Sequence, residues 1–231
     1  MSDILLPIAV LEGETVPPGL IDFLAPVEVT ILGYHVVPEQ TPPDQARLQF
    51  EDRAVEALTD LCDAFQSNGV TADHRLVFTH DEEQSIDRIA AELDARAIAI
   101  PGVTGEVEDL LVALSGKVAI DRILSFTERL VGDRPIRVTL FLASAKKADQ
   151  EKLNSAQQRL EAAGVDVETR FTESHTPTRA LVGALEDYDV TVIGERADSF
   201  RSLVFGDESD WVASASIGPV LVVRHRESQE G

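Results

Sequence analysis

The chain has 231 residues, 41 of them acidic against 20 lysines and arginines, for a formal net charge of −21. That length suits one large domain or two small ones, and a 44% hydrophobic share spread along the chain excludes a disordered polymer. The acidic balance argues against nucleic-acid binding, which needs a basic patch. The single cysteine excludes an internal disulfide and any Cys/His zinc spacing. No apolar run reaches the roughly 18 residues of a membrane helix, and Met1-Ser2-Asp3 lacks the basic start of a signal peptide, so a soluble cytoplasmic protein without membrane insertion is expected.

Short apolar runs alternate with amphipathic stretches, the pattern of βαβ units around a parallel sheet. Asp3-Ile4-Leu5-Leu6 opens a buried strand, and Val27–Val37 reads as the next. Phe50, Ala54, Ala57, Leu58, Leu61, Cys62 and Phe65 then recur on one helical face, which makes Cys62 a buried core thiol. Gly69 suits the left-handed position that ends this helix, and Val70 restarts a strand, about Thr71–Thr79. A helix follows His80, with Asp81 as its cap and Gln84 three residues on, as in a capping box. Ala97-Ile98-Ala99-Ile100 is a fourth buried strand, and Pro101–Glu108 reads as a linker.

The same order then returns. Asp109-Leu110-Leu111-Val112 repeats Asp3-Ile4-Leu5-Leu6, and Val138-Thr139-Leu140-Phe141, within a strand Ile136–Ser144, repeats Val29-Thr30-Ile31-Leu32. A helix with Leu153, Ala156, Leu160 and Ala163 on its apolar stripe ends at Gly164-Val165, as the first long helix ends at Gly69-Val70. A strand Asp166–Glu173 follows, then a helix capped by Thr176 with Pro177 at its first position, then a strand Val190–Ile193. The second copy continues through a glycine-bearing loop, a short helix near Glu208–Ser214 and a last strand, Val220–Val223. The expected domains are therefore 1–105, lacking its closing helix and strand, and a complete 106–231. The expected fold is α/β: two tandem Rossmann-like, doubly wound parallel-sheet units of the adenine-nucleotide-hydrolase-like kind.

This element order resembles the universal stress protein family, across nearly all of the second copy and most of the first. The ending Gly218-Pro219-Val220-Leu221-Val222-Val223-Arg224 is similar to the family's closing strand. Ile193-Gly194 and Leu203-Val204-Phe205-Gly206 frame a loop like the family's glycine loop, which wraps the phosphates in ATP-binding members. The resemblance thus implies a nucleotide pocket at Ser115, Gly116, Gly194, Arg196 and Gly206. The chain departs from the pattern inside that pocket. The family's Asp-Gly-Ser reads Ser115-Gly116-Lys117, the second loop glycine is Ala197, and Asp207-Glu208 follow Gly206 where a hydroxyl is expected. Phosphate loops depend on close backbone N–H groups and a positive helix start. Two acids there repel a phosphate, by about 4 kcal/mol per like-charge pair before screening; Arg196 and Arg201 offset them in part.

Other motifs read as structure. Ser115-Gly116-Lys117 is a strand-to-helix turn and not a P-loop, because Leu111 and Val118 stand where that motif needs glycine and a hydroxyl. His80 and His175 fall at matching strand-to-helix junctions, and Trp211 is a packing anchor. No catalytic or metal residue is expected, since carboxylates are too abundant for any pair to carry information. The four lysines are Lys117, Lys146, Lys147 and Lys152; dispersed acids with so few lysines resemble the composition of extreme halophiles. The strand Val220–Val223 is an edge candidate, for which a homodimer is expected. The functional expectation is a non-catalytic, universal stress protein-like regulator or interaction protein without a cofactor. The alternatives are an ATP- or AMP-binding signalling protein and an accessory module for a transporter, as family domains also occur on transporters.

Overall fold

A computed structural model describes residues 2–114, 120–194 and 218–224 of the chain, which divides into two compact units. The first is drawn from Met1–Val16 and Leu24–Ile100, the second from Pro17–Phe23 and Pro101–Gly231.

The first unit holds β1 (Ile4–Ala9), β2 (Val29–Val36), β3 (Ala72–Thr79) and β4 (Ala97–Ile100), all parallel in the order β3-β2-β1-β4. Ile4 stands opposite both Val29 and Ala97, so β1 is flanked on both sides; each of its residues is buried, which explains its unbroken apolar run. The long helix α2 (Pro43–Ser67) buries Ala54, Leu58, Cys62 and Phe65. A Cβ on Gly33 of β2 would lie 2.7 Å from Leu58 Cδ1, so the glycine lets α2 sit close to the sheet. The helix α3 (Glu82–Glu92) packs Ile86, Ile89 and Ala90 against Leu5, Leu32 and Ile98.

The junctions follow local chemistry. Gly69 takes φ +77°, and the Val70 N–H donates to the Phe65 carbonyl at 3.0 Å, closing α2 with a left-handed cap. Asp81 Oδ1 accepts the Gln84 N–H at 2.9 Å, as the spacing predicts. The reciprocal bond differs from a capping box: the Asp81 N–H donates at 3.0 Å to Thr79 Oγ1, because the hydroxyl two residues back is already in place.

The second unit holds β5 (Asp109–Ala113), β6 (Arg137–Ser144), β7 (Val167–Glu173), β8 (Val190–Gly194) and β9 (Val220–Val223), parallel in the order β9-β8-β5-β6-β7. The helices α4 (Ile120–Val131), α5 (Gln150–Ala162) and α6 (Pro177–Val182) connect them. Arg159 of α5 ties to α4 through Glu128 at 2.9 Å, Asp121 at 2.7 Å and Ser125 at 2.7 Å. Gly164 takes φ +86°, and the Val165 N–H reaches the Leu160 carbonyl at 3.0 Å, the same closure as at Gly69. Two expectations need correction. Ala163 is exposed, because it lies past the last turn of α5 and off the stripe of Leu153, Ala156 and Leu160. Thr176 occupies the cap position before Pro177, but its hydroxyl caps no helix N–H; its own N–H donates to Ser174 Oγ at 3.0 Å.

The short helix α1 (Pro18–Phe23) belongs to this second unit. Arg134 holds it: Nη1 donates to the Asp22 carbonyl at 3.2 Å and Nη2 to that of Phe23 at 2.9 Å, with the guanidinium 5.2 Å from the Phe23 ring centroid. The same guanidinium also donates to the Leu130 carbonyl at the end of α4. One cation thus serves the C-terminal ends of two helices. Among the described residues no helix is long and apolar enough to cross a membrane.

Candidate functional site

Open parallel sheets take ligands at the carboxyl ends of their strands. In the second unit that edge is formed by Ala113, Ser144, Glu173, Gly194 and Val223. Leu114 N–H donates to the Phe141 carbonyl at 2.8 Å, which continues the ladder one residue past β5. Ser144 Oγ donates to Asp149 Oδ2 at 2.6 Å and accepts the Lys146 N–H at 3.1 Å, while Lys152 Nζ lies 2.8 Å from Asp149 Oδ1. The Lys152 ammonium, then the Ser144 hydroxyl, hold the Asp149 carboxyl below its ordinary value. The group is a closed turn, since hydroxyl and carboxylate already answer each other.

Of the residues expected to form a nucleotide pocket, Gly194 is placed. It is the buried last residue of β8, opposite Val223 of β9. Ser115, Gly116, Arg196 and Gly206 lie outside the described residues, as do Lys117, Ala197, Arg201, Asp207, Glu208, Trp211 and the helix near 208–214. Next to Val223 stands Arg224, whose Nε is buried without a hydrogen-bond partner. A buried donor left unmade costs on the order of 1–3 kcal/mol. Reading Arg224 as the end of a strand motif misses this; a cation one residue past a buried strand is the signal for it. Before the same strand, a Cβ on Gly218 would press into the Asp189 carbonyl, so the glycine lets Pro219 accept the Thr191 N–H at 3.0 Å.

The equivalent edge of the first unit carries a different chemistry. Glu14 Oε2 accepts the Ala9 N–H at 2.7 Å, and Glu82 at the start of α3 lies within electrostatic reach of both Glu14 and Tyr34. Burial first, then Glu12 and Glu82, push the Glu14 carboxyl up, against the lowering effect of the Ala9 N–H. Burial first, then Glu83 and Glu12, push Glu82 up, and Tyr34 is raised by burial and then by Glu82. Nearby, His80 Nδ1 lies 3.1 Å from the Val37 carbonyl, a junction role; His175, its sequence counterpart, is exposed. His35 packs edge-on to Phe50 and Phe78. Cys62 is buried, its Sγ 3.6 Å from His74 Nδ1, and burial pushes its thiol up, with Asp73 and Asp63 adding to the rise. A raised thiol is a weak nucleophile, in keeping with a core role.

A broad open cavity of about 1050 Å³ lies at the opposite, N-terminal ends of the second unit's strands, lined by α1, residues 104–108 and Arg134–Arg137. Its arginines are already engaged: Arg134 by backbone carbonyls, Arg137 by Asp109 at 2.5 and 2.7 Å. Among the described residues no group of three or more His, Cys, Asp or Glu side chains is placed to hold a metal ion.

No protein-family profile matches the chain, and no curated protein matches it. Solved structures do. A universal stress protein from Archaeoglobus fulgidus DSM 4304 is 18% identical, with a TM-score of 0.66 over 98% of this chain and 97% of that one. The cytoplasmic domain of a prokaryotic cation chloride cotransporter is 10% identical, with a TM-score of 0.52 over 96% and 94% of the two chains. Likeness at such identity is likeness of fold: the chain has a Rossmann-like α/β fold with parallel strands, shared with universal stress proteins.

Proposed function

We propose that the chain is a tandem universal stress protein-like regulator or interaction protein, acting by binding rather than catalysis and without the usual ATP loop. The observation that carries the reading is the end-to-end fold likeness to a universal stress protein. Matched closures at Gly69 and Gly164, and matched strand orders β3-β2-β1-β4 and β7-β6-β5-β8, support two copies of one unit, 1–105 and 106–231, the first cut short. Asp207 and Glu208 beside Gly206 oppose a phosphate. The test is extraction of the purified protein with acid and chromatography of the extract: this reading expects no stoichiometric adenine nucleotide, and its presence overturns it.

A second reading is favoured by Arg224. Its unpartnered Nε follows β9, whose Val223 stands opposite Gly194, so an anionic ligand such as ATP or AMP has one cation available at the edge where Ser115, Gly116, Arg196 and Gly206 are expected. Substituting Arg224→Gln and measuring AMP affinity separates the two readings.

Partners belong to the proposal as well. A transporter is one, supported by the fold likeness to a cotransporter's cytoplasmic domain. A second copy joined through Val220–Val223 is another; Val220, Leu221 and Val223 are buried within the single chain, so exposure of that strand is not what supports it. Light scattering behind size exclusion at molar salt decides, a monomer removing the dimer. The acidic surface suits a cytoplasm of high salt.

A further inference from the structure

We propose that a second copy of this chain adds to the open edge of β7, antiparallel, with Thr169 on the twofold axis and Glu168 of each copy facing Arg170 of the other. β7 ends the strand order of its unit, and among the described residues it pairs along its length with β6 alone. The Val138 N–H donates to the Asp166 carbonyl at 2.9 Å and the Ser174 N–H to the Ser144 carbonyl at 3.2 Å, at either end of an unbroken register. Even-numbered residues therefore turn their backbone groups to β6, while Val167, Thr169, Phe171 and Glu173 turn theirs outward. Such an outward row of N–H and C=O groups is a template for another strand.

An isologous pair repeats every contact about its axis, so charge selects the register. Centring on Glu168 or on Arg170 sets like charges face to face, and centring on Phe171 sets Arg170 against Thr172. Centring on Thr169 sets Glu168 against Arg170 of the second copy, twice, at the closely spaced positions between hydrogen-bonded pairs. The same register lets Thr169 exchange backbone bonds with its own counterpart, and Val167 with Phe171 of the second copy. Glu168, Thr169 and Arg170 are exposed. Arg170 reaches Asp187 at 3.4 Å, but an ion pair between two exposed side chains is weak enough to give way.

The first unit carries the same pattern and separates the two edges. Asp73-His74-Arg75 of β3 follows Gly69 as Glu168-Thr169-Arg170 follows Gly164. The Thr71 and Thr79 carbonyls accept from β2, so the outward N–H there is that of His74. Asp73 Oδ1 accepts that N–H at 2.7 Å, so the carboxylate that a facing arginine needs already closes the strand's own donor. The Thr169 N–H has no such closure among the described residues, which leaves β7 as the edge that pairs.

The test is light scattering behind size exclusion on the full chain in molar KCl, where repulsion between two acidic copies is screened. The parent is expected to be dimeric at about 100 μM. Glu168→Arg and Arg170→Glu each leave only like charges across the pair and are expected to weaken association about tenfold or more. Mixed in equal amounts, these two variants restore opposite charges at both positions and are expected to form a dimer, which a folding defect in either could not produce. Thr169→Pro removes the outward N–H on the axis, leaves the bonds to β6 in place and is expected to be monomeric. A monomeric parent, a mixture that stays monomeric, or a dimer unchanged by the single variants, as joining through Val220–Val223 predicts, each overturns the pairing.

Discussion

Arg96 Nε lies 3.3 Å from Asp3 Oδ1, a carboxylate that is 7% exposed and also accepts the Glu28 N–H at 3.2 Å. The sequence counterpart of Asp3 is Asp109, and it turns the other way: its partner is Arg137, directly opposite on β6. The place of Arg96, just before the strand that flanks β1, is taken by Asp189, whose Oδ2 accepts the N–H groups of both Glu108 and Asp109 at 2.9 Å. Strand starts with the same residue are thus anchored by charges of opposite arrangement.

The anchors predict where mutation hurts. Asp3→Ala leaves the Glu28 N–H unanswered and should cost about 1–3 kcal/mol. Asp189→Ala frees two backbone donors in a more exposed place and should cost about 1–2 kcal/mol. Urea unfolding in molar KCl measures both; a loss below about 0.5 kcal/mol for Asp3→Ala would remove its anchoring role.

Gly19 and Gly105 make a sharper pair. A Cβ on Gly19 would overlap the Gly105 carbonyl, a backbone atom that cannot swing aside, whereas a Cβ on Gly105 meets nothing within 4 Å. Gly19→Ala should destabilise the chain by about 1–3 kcal/mol, and Gly105→Ala should stay within about 0.5 kcal/mol of the parent. Equal melting temperatures for the two variants would mean that α1 does not sit against residues 104–106.

The helix closures at Gly69 and Gly164 require the left-handed region, at φ +77° and +86°, and neither glycine is crowded. Alanine at either should therefore cost about 1 kcal/mol through backbone strain alone. Two independent sites should add in the double variant within about 0.5 kcal/mol; strong non-additivity by calorimetry would contradict the separate-unit account.

These closures were legible in sequence because they are local: a glycine and a valine after an apolar stripe fix the cap without any tertiary information. The strands were legible for the same reason, as unbroken apolar runs such as Ile4–Ala9 and Ala97–Ile100. The helix α1 was not assigned a place, because Pro17, Pro18, Gly19 and Pro26 break any period and its anchor, Arg134, lies more than a hundred residues on. Glu14 and Glu82 were hidden among 41 acids, and only the fold brings both within electrostatic reach of Tyr34. Ala163 was misread because the stripe was extended one residue past the helix end.

A net charge of −21 sets the response to salt. The Debye length falls from about 10 Å at 0.1 M to about 3 Å at 1 M, so self-repulsion fades over that interval. The thermal midpoint is expected to climb by several degrees between these concentrations in KCl; a flat or falling midpoint would count against the proposed adaptation to high salt.

The most direct measurement of the central claim is calorimetric titration of the full chain with ATP and with AMP in molar KCl. A regulator whose ATP loop has been lost gives no saturable heat with either nucleotide at concentrations up to about 1 mM. A saturable isotherm with a Kd tighter than about 100 μM, abolished by Arg224→Gln, would contradict it and establish the nucleotide-binding reading in its place.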